Sequence, residues 1–201
     1  DFVYDGFSGA NLSKYLVGET QKDGKVLAML KPCDTYSFNQ LVKEHRIDRD
    51  HVYVLGIECR GKADIDAIRA RGVKGIQSIE EQGDELLIHT LYGDETIPLQ
   101  EVLLEKCRCC KSKSHAVYDD LALTGDPIPE ASADRFAQVE ALENSSPRER
   151  YDFWRKELSR CIRCNACRNV CPACSCVKCV FDNDASGVAS KANADSFEEN
   201  M

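Results

Sequence analysis

The sequence predicts an α/β fold, a short parallel sheet with crossover helices plus an antiparallel hairpin, followed by a small helical cysteine module. Three observations predict it: two strand-turn-helix units in succession, a stretch of alternating residues broken by glycine turns, and a dense cysteine run near the end. In the first unit, Lys25 to Leu30 (KVLAML) is a short apolar run that stops at Lys31-Pro32-Cys33-Asp34. Phe38, Leu41 and Val42 then recur at helical spacing. Asp34 or Thr35 can cap this helix, because either side-chain oxygen can accept from an unpaired first-turn N–H.

The second unit repeats the pattern. His51 to Ile57 (HVYVLGI) is β-branched and aromatic, breaks at Glu58-Cys59-Arg60-Gly61 and gives way to a helical ADIDAIRARG. Successive units of this kind place their strands parallel, joined by a crossover helix. Cys33 and Cys59 then lie beyond the carboxyl ends of neighbouring strands, the edge at which open α/β sheets bind ligands. Taken alone, either cysteine is more often a small buried hydrophobe. Their matching positions favour the ligand reading.

Lys74 to Leu99 alternates around Gln82-Gly83-Asp84 and Tyr92-Gly93-Asp94, which predicts a hairpin or meander. A polar connection with Pro127 and Pro129 leads to a helical ADRFAQVEALE. Ser146 with Glu149 fits a capping box with Pro147 at the first helical position. On that helix Tyr151, Trp154 and Leu158 form an apolar stripe, read as core and not as a cofactor contact. The division expected is an α/β domain over 1–126, a helical linker and cysteine module over 127–181, and a mobile polar tail over 182–201.

Composition narrows the function. With 26 Lys+Arg against 34 Asp+Glu the net charge is −8, which argues against nucleic acid as a partner. No apolar run approaches the roughly eighteen residues of a membrane span. The 12 cysteines are clustered, seven from Cys161 to Cys179 and three from Cys107 to Cys110. With no secretory signal and a chain long enough for a core, clustering points to metal in a reducing, cytoplasmic compartment and not to a disulfide framework. The chain opens on Asp1 and stops at Met201 in a polar stretch, as a fragment of something longer would.

The string CIRCNACRNVCP sets Cys161, Cys164, Cys167 and Cys171 before Pro172, the C-x2-C-x2-C-x3-C-P spacing of bacterial ferredoxins. Three thiolates at this interval let one tight loop reach three corners of a [4Fe-4S] cubane. Because the fourth cysteine of such a run serves the other cluster in two-cluster ferredoxins, Cys171, Cys174, Cys176 and Cys179 all stand as candidates to complete the site or serve a further one. Zinc is the alternative, since C-x2-C knuckles also hold Zn²⁺, but it requires neither the third spaced cysteine nor the proline. Nothing local pairs a cysteine with His115 or His89 for catalysis. In KCRCC, Cys107 and Cys110 form a C-x2-C pair with Cys109 left over. Cys33 and Cys59 supply two further ligands if this loop folds back over the strand ends. Otherwise Cys107 and Cys110 belong with the C-terminal cysteines.

Taken together, KPCD at Cys33, GIECRG at Cys59, the KCRCC loop and CIRCNACRNVCPACSC resemble the β subunits of the deazaflavin-linked hydrogenase and formate dehydrogenase family, above all the formate dehydrogenase type. The likeness runs from about Lys25 to Cys179 and lies in the order of the motifs. It implies a non-catalytic electron-transfer subunit of an oxidoreductase, a hetero-oligomer with a catalytic subunit, serving a soluble carrier. It implies two or more [4Fe-4S] clusters, one on Cys33, Cys59, Cys107 and Cys110 and one on Cys161, Cys164 and Cys167, with FAD as a further cofactor of the full-length protein. Family members usually extend further on the N-terminal side and carry a second ferredoxin-type run, neither of which is present. No G-x-G-x-x-G signature assigns a flavin site to residues. A contrasting reading is a zinc-folded interaction module on an α/β scaffold with no redox role.

Overall fold

The computed structural model describes residues 3–123, 134–162, 164–177 and 179. It divides into two units, Asp1–Arg135 and Phe136–Met201. The connection through Pro127 and Pro129, the boundary expected near Asp126 and the tail over 182–201 lie outside the described residues.

The first unit opens with a short helix that the sequence reading did not foresee, α1 (Ser13–Glu19), followed by β1 (Val26–Leu30), α2 (Pro32–Lys43) and β2 (Val52–Ile57). β1 and β2 pair in parallel, from Val26 beside Val52 to Leu30 beside Gly56, as two consecutive strand-helix units require. Alternation sends Ala28, Leu30, Val52 and Val54 to one face, where they are buried with Phe38 and Leu41 of α2 and Leu16 of α1. Burying each of the larger side chains contributes about 1.5–3 kcal/mol. Leu27 and Tyr53 on the opposite face stay exposed.

The cap of α2 differs from expectation. Neither Asp34 nor Thr35 is the N-cap; that position is Lys31, and Pro32 begins the helix. Proline is preorganised for the first helical position and lacks the N–H that would be orphaned there. Asp34, three residues in, turns its carboxylate back to accept the Lys31 N–H at 3.4 Å. Cys33 therefore lies in the first turn of a helix.

After β2 come α3 (Ile65–Ala70) and a three-stranded antiparallel meander, β3 (Ile76–Gln82), β4 (Glu85–Thr90) and β5 (Gly93–Pro98). Gly83 supplies the positive φ of 63° that the tight β3–β4 turn demands. Ile79, Leu86, Ile88 and Ile97 close a second core with Ile68 of α3 and with Leu99, Val102 and Leu103. α4 (Glu105–Arg108) follows, and then β6 (Asp120–Ala122) returns to lie parallel beside β2, giving the order β1-β2-β6. Three residues are too few for periodicity to reveal β6 in the sequence. The mixed α/β class is nonetheless as expected, with a full meander where a hairpin was the simpler expectation.

The second unit carries α5 (Ala137–Glu143), α6 (Pro147–Leu158) and α7 (Ala166–Val170). The capping box is formed: Ser146 Oγ accepts the Glu149 N–H at 3.3 Å and Glu149 Oε2 accepts the Ser146 N–H at 2.8 Å. The stripe on α6 is not core, however. Trp154 is 48% and Leu158 42% exposed, and Tyr151 is half-buried. Phe153 on the same helix is 39% exposed as well and the remaining positions after Pro147 are charged, so the helix buries little and its caps carry more of its stability.

Candidate metal centre

Cys33, Cys59, Cys107 and Cys110 come from three separate segments and line one cavity of about 170 Å³ at the carboxyl edge of the parallel sheet. Cys33 arrives on the first turn of α2 and Cys59 two residues after β2 ends. Cys107 is on α4, and the Cys110 N–H donates to its carbonyl at 3.2 Å, so one turn presents this pair together. The Cys59 loop is held against α4 by a short antiparallel tie. Asp64 N–H donates to Val102 O at 2.7 Å, and Leu104 N–H to Lys62 O at 2.8 Å. Gly61 makes the tie feasible: its φ is +115°, and a Cβ there would lie 2.5 Å from Leu103 Cδ2.

Beyond Cys110 the chain folds back over the same edge. His115 Nε2 lies 3.2 Å from Leu30 O and 3.1 Å from Ile57 O, the terminal carbonyls of β1 and β2. Both partners only accept, so Nε2 carries the proton and His115 acts as a strap across the two strand ends. Gly56 leaves room for it, since a Cβ there would lie 2.8 Å from His115 Cδ2. Sequence reasoning considered His115 only as a catalytic partner. Its spacing from the carbonyls it joins, 85 and 58 residues, hides this role from any local pattern.

The walls of the cavity are cationic. Lys31 is buried and pairs with buried Asp34 at 2.8 Å, while its Nζ also donates to Ala10 O at 2.8 Å. Lys62, equally buried, lies 3.0 Å from Glu81 Oε1, donates to Asp5 O at 2.9 Å and sits 4.1 Å above the ring of Tyr4. Arg60 and Lys106 also line the space. Burial, with Asp34 as a smaller contributor, pushes the Cys33 thiol up to about 12. Cys107 is raised too, again by burial, against which the Lys62 backbone N–H acts as a hydrogen-bond donor to its sulfur. The Tyr4 phenol is held well above its usual value by burial and then by Cys59 beside it. Cys109 does not line the cavity; its Sγ turns back to Glu105 O at 3.3 Å.

This donor set suits a bulky, thiolate-bound, anionic group. The cavity holds on the order of ten times the volume one water needs. Among the described residues no three His, Cys, Asp or Glu side chains converge on a single ion. A four-cysteine zinc site would draw its sulfurs to about 3.8 Å from one another, as tetrahedral Zn–S bonds of about 2.3 Å dictate. The lysines and arginine that line the cavity would offset the negative charge of a larger thiolate-bound group.

The second unit holds the remaining cysteines, grouped around α7. Cys161 and Cys164 precede α7, Cys167 is on it, Cys171 is its C-cap, and Cys174, Cys176 and Cys179 lie beyond. Asn165, with φ of 60°, turns the chain between Cys164 and Cys167. The Cys171 N–H donates to Cys167 O at 3.2 Å and the Cys174 N–H to Cys171 O at 3.1 Å. Backbone order is thus present around the motif, without a convergence of three of the described donors on one point.

No family model matches the chain. Curated relatives do match, two of them as follows. The F420-dependent formate dehydrogenase subunit beta of Methanocaldococcus jannaschii is 24% identical over 232 aligned residues, covering 88% of this chain and 60% of that protein. The F420-dependent formate dehydrogenase 1 subunit beta of Methanococcus maripaludis is 23% identical, covering 84% of this chain and 59% of that protein. The chain is similar to the formate dehydrogenase β-subunit type. The resemblance read from the order of the cysteine motifs is borne out. The chain spans about three-fifths of the length of these formate dehydrogenase β subunits. Among the described residues no helix is long and apolar enough to cross a membrane.

Proposed function

We propose that this chain is an iron-sulfur electron-transfer subunit of an oxidoreductase complex of the formate dehydrogenase or hydrogenase β type, breaking no substrate bond itself. The observation that carries the proposal is the meeting of Cys33, Cys59, Cys107 and Cys110 around one cation-walled cavity. The names of the two relatives support the same reading.

In this reading the four thiolates hold a [4Fe-4S] cluster, which supplies a one-electron store when bound. Lys31, Lys62, Lys106 and Arg60 offset the charge of the thiolate-bound centre, and the Lys62 amide steadies the Cys107 sulfur. His115 and the Gly61 turn fix the segments that bear the ligands. Cys161, Cys164 and Cys167 hold a second cluster, completed by one of Cys171, Cys174, Cys176 and Cys179. Electrons pass between a catalytic subunit and a flavin or soluble carrier, in the cytoplasm, with FAD belonging to the full-length protein.

The test is anaerobic reconstitution of the full chain with iron and sulfide, followed by iron counting and visible spectra. A brown protein that loses about four irons on Cys110→Ser supports the reading. A colourless protein that takes up stoichiometric zinc and no iron overturns it in favour of a zinc-folded interaction module.

A further inference from the structure

Lys62 is the least expected residue around the cavity. An isolated buried ammonium is costly, and such groups persist only when paired and hydrogen-bonded. Lys62 is 1% exposed, and its ammonium has three partners: Glu81 Oε1 at 3.0 Å, Asp5 O at 2.9 Å and the Tyr4 ring at 4.1 Å. Its main chain is pinned as well. The carbonyl accepts from Leu104, the amide faces the Cys107 sulfur, and Gly61 just before it has a φ open only to glycine. Lys62 thus lines the cavity that four cysteines share, with its charge fixed over the ring of Tyr4, whose phenol neighbours Cys59.

The two buried lysines are not equivalent. The counter-ion of Lys31 is Asp34, whose side chain is 1% exposed, so the pair is a closed dipole in a poorly screening interior. The counter-ion of Lys62 is Glu81, whose side chain is 25% exposed. Water therefore screens the carboxylate more than the ammonium, and the Lys62 charge is the less compensated of the two lysines.

We propose that Lys62 sets the reduction potential of the cluster held by Cys33, Cys59, Cys107 and Cys110, favouring the electron-bearing state through a fixed buried positive charge. The inference rests on the cluster assignment above and deepens it. Adding one electron makes a thiolate-bound cluster more negative by one charge, with no other bond made or broken. A fixed cation nearby stabilises the reduced form more than the oxidised one and raises the potential. Glu81 has the opposite influence, so the two residues form a pair whose removal should shift the potential in opposite directions.

The experiment is a spectroelectrochemical titration of the reconstituted full chain, with the relevant wave assigned by its loss in Cys110→Ser. Lys62→Met should lower the reduced-to-oxidised ratio at fixed potential about tenfold, about 59 mV for a one-electron couple. Glu81→Gln should raise the ratio, and Lys62→Arg should leave the potential close to that of the parent chain. Iron content is measured on every variant. Unchanged potentials at full iron content would overturn the proposal while leaving the cluster assignment intact. Should Lys62→Met fail to hold iron, an unmoved potential in Glu81→Gln would likewise overturn it, and a raised one would support it. A parent chain that binds no iron removes both readings.

Discussion

Replacing Asp34 by Asn tests whether the site is assembled on a buried ion pair. The carboxylate is 1% and the Lys31 side chain 4% exposed, with 2.8 Å between Nζ and Oδ2. The substitution leaves a buried cation whose remaining partner is Ala10 O at 2.8 Å, and it weakens the bond to the Lys31 N–H at the start of α2. Breaking a buried pair from one side costs about 3–5 kcal/mol, and the surviving carbonyl argues for the lower end, about 3 kcal/mol. With a urea m-value of about 1–3 kcal/mol/M, the midpoint should fall by about 1–3 M. The assay is urea unfolding of the reduced full chain followed by circular dichroism, in chelator so that metal binding does not add to stability. The double variant Lys31→Met, Asp34→Leu should recover much of the loss, because no charge is then stranded. A midpoint lowered by less than about 0.3 M, or a double variant no better than the single one, would refute the assignment of a coupled buried pair.

Four further outcomes are expected. Cys109→Ser should leave iron content unchanged and stability within about 0.5 kcal/mol, since its sulfur turns away from the cavity, whereas Cys110→Ser loses the cluster. Cys164→Ser in anaerobically purified protein should remove iron and visible absorbance from the C-terminal module while the circular dichroism of the α/β unit persists; full iron and colour would contradict the ferredoxin-type assignment. Gly61→Ala, at φ +115° and against Leu103, should cost about 1–3 kcal/mol and lower cluster occupancy, read by unfolding and iron assay together. The capping box gives a pH signature: hydrogen bonds from Ser146, side chain first and backbone second, hold the Glu149 carboxyl below its usual value. Its contribution is complete above the ordinary carboxylate pKa and is lost as pH falls through the lowered one, so helix content should fall on acidification more in the parent than in Glu149→Gln.

What the sequence revealed depended on how local each feature is. The parallel pair β1 and β2, the meander turns at Gly83 and Gly93, and the Ser146 capping box are written in adjacent residues and are read directly. The meeting of Cys33 and Cys59 with Cys107 and Cys110 was reachable as well, because two strands ending alike constrain where a third cysteine segment can go. β6 was not reachable, as three residues carry no period, nor was α1. The strap formed by His115 links residues 85 and 58 positions apart, and the ties of the Lys62 ammonium reach residues 57 and 19 positions away, through single hydrogen bonds that leave no pattern. The stripe on α6 misled because spacing reports that a face is apolar, not that another surface covers it.

The α/β unit has two separately packed cores, one beneath the parallel sheet and one around the meander. Cys33 springs from a helix of the first, Cys107 packs against the second, and Cys59 lies on the chain that runs from one to the other. A group bonded to all of these thiols would act as a rivet between two plates. Sliding of one plate over the other would strain every metal-sulfur bond at once. The time for which such a group stays bound would then report the stiffness of the seam between the cores, and a distant substitution that loosens the meander should shorten it without touching any of the four cysteines.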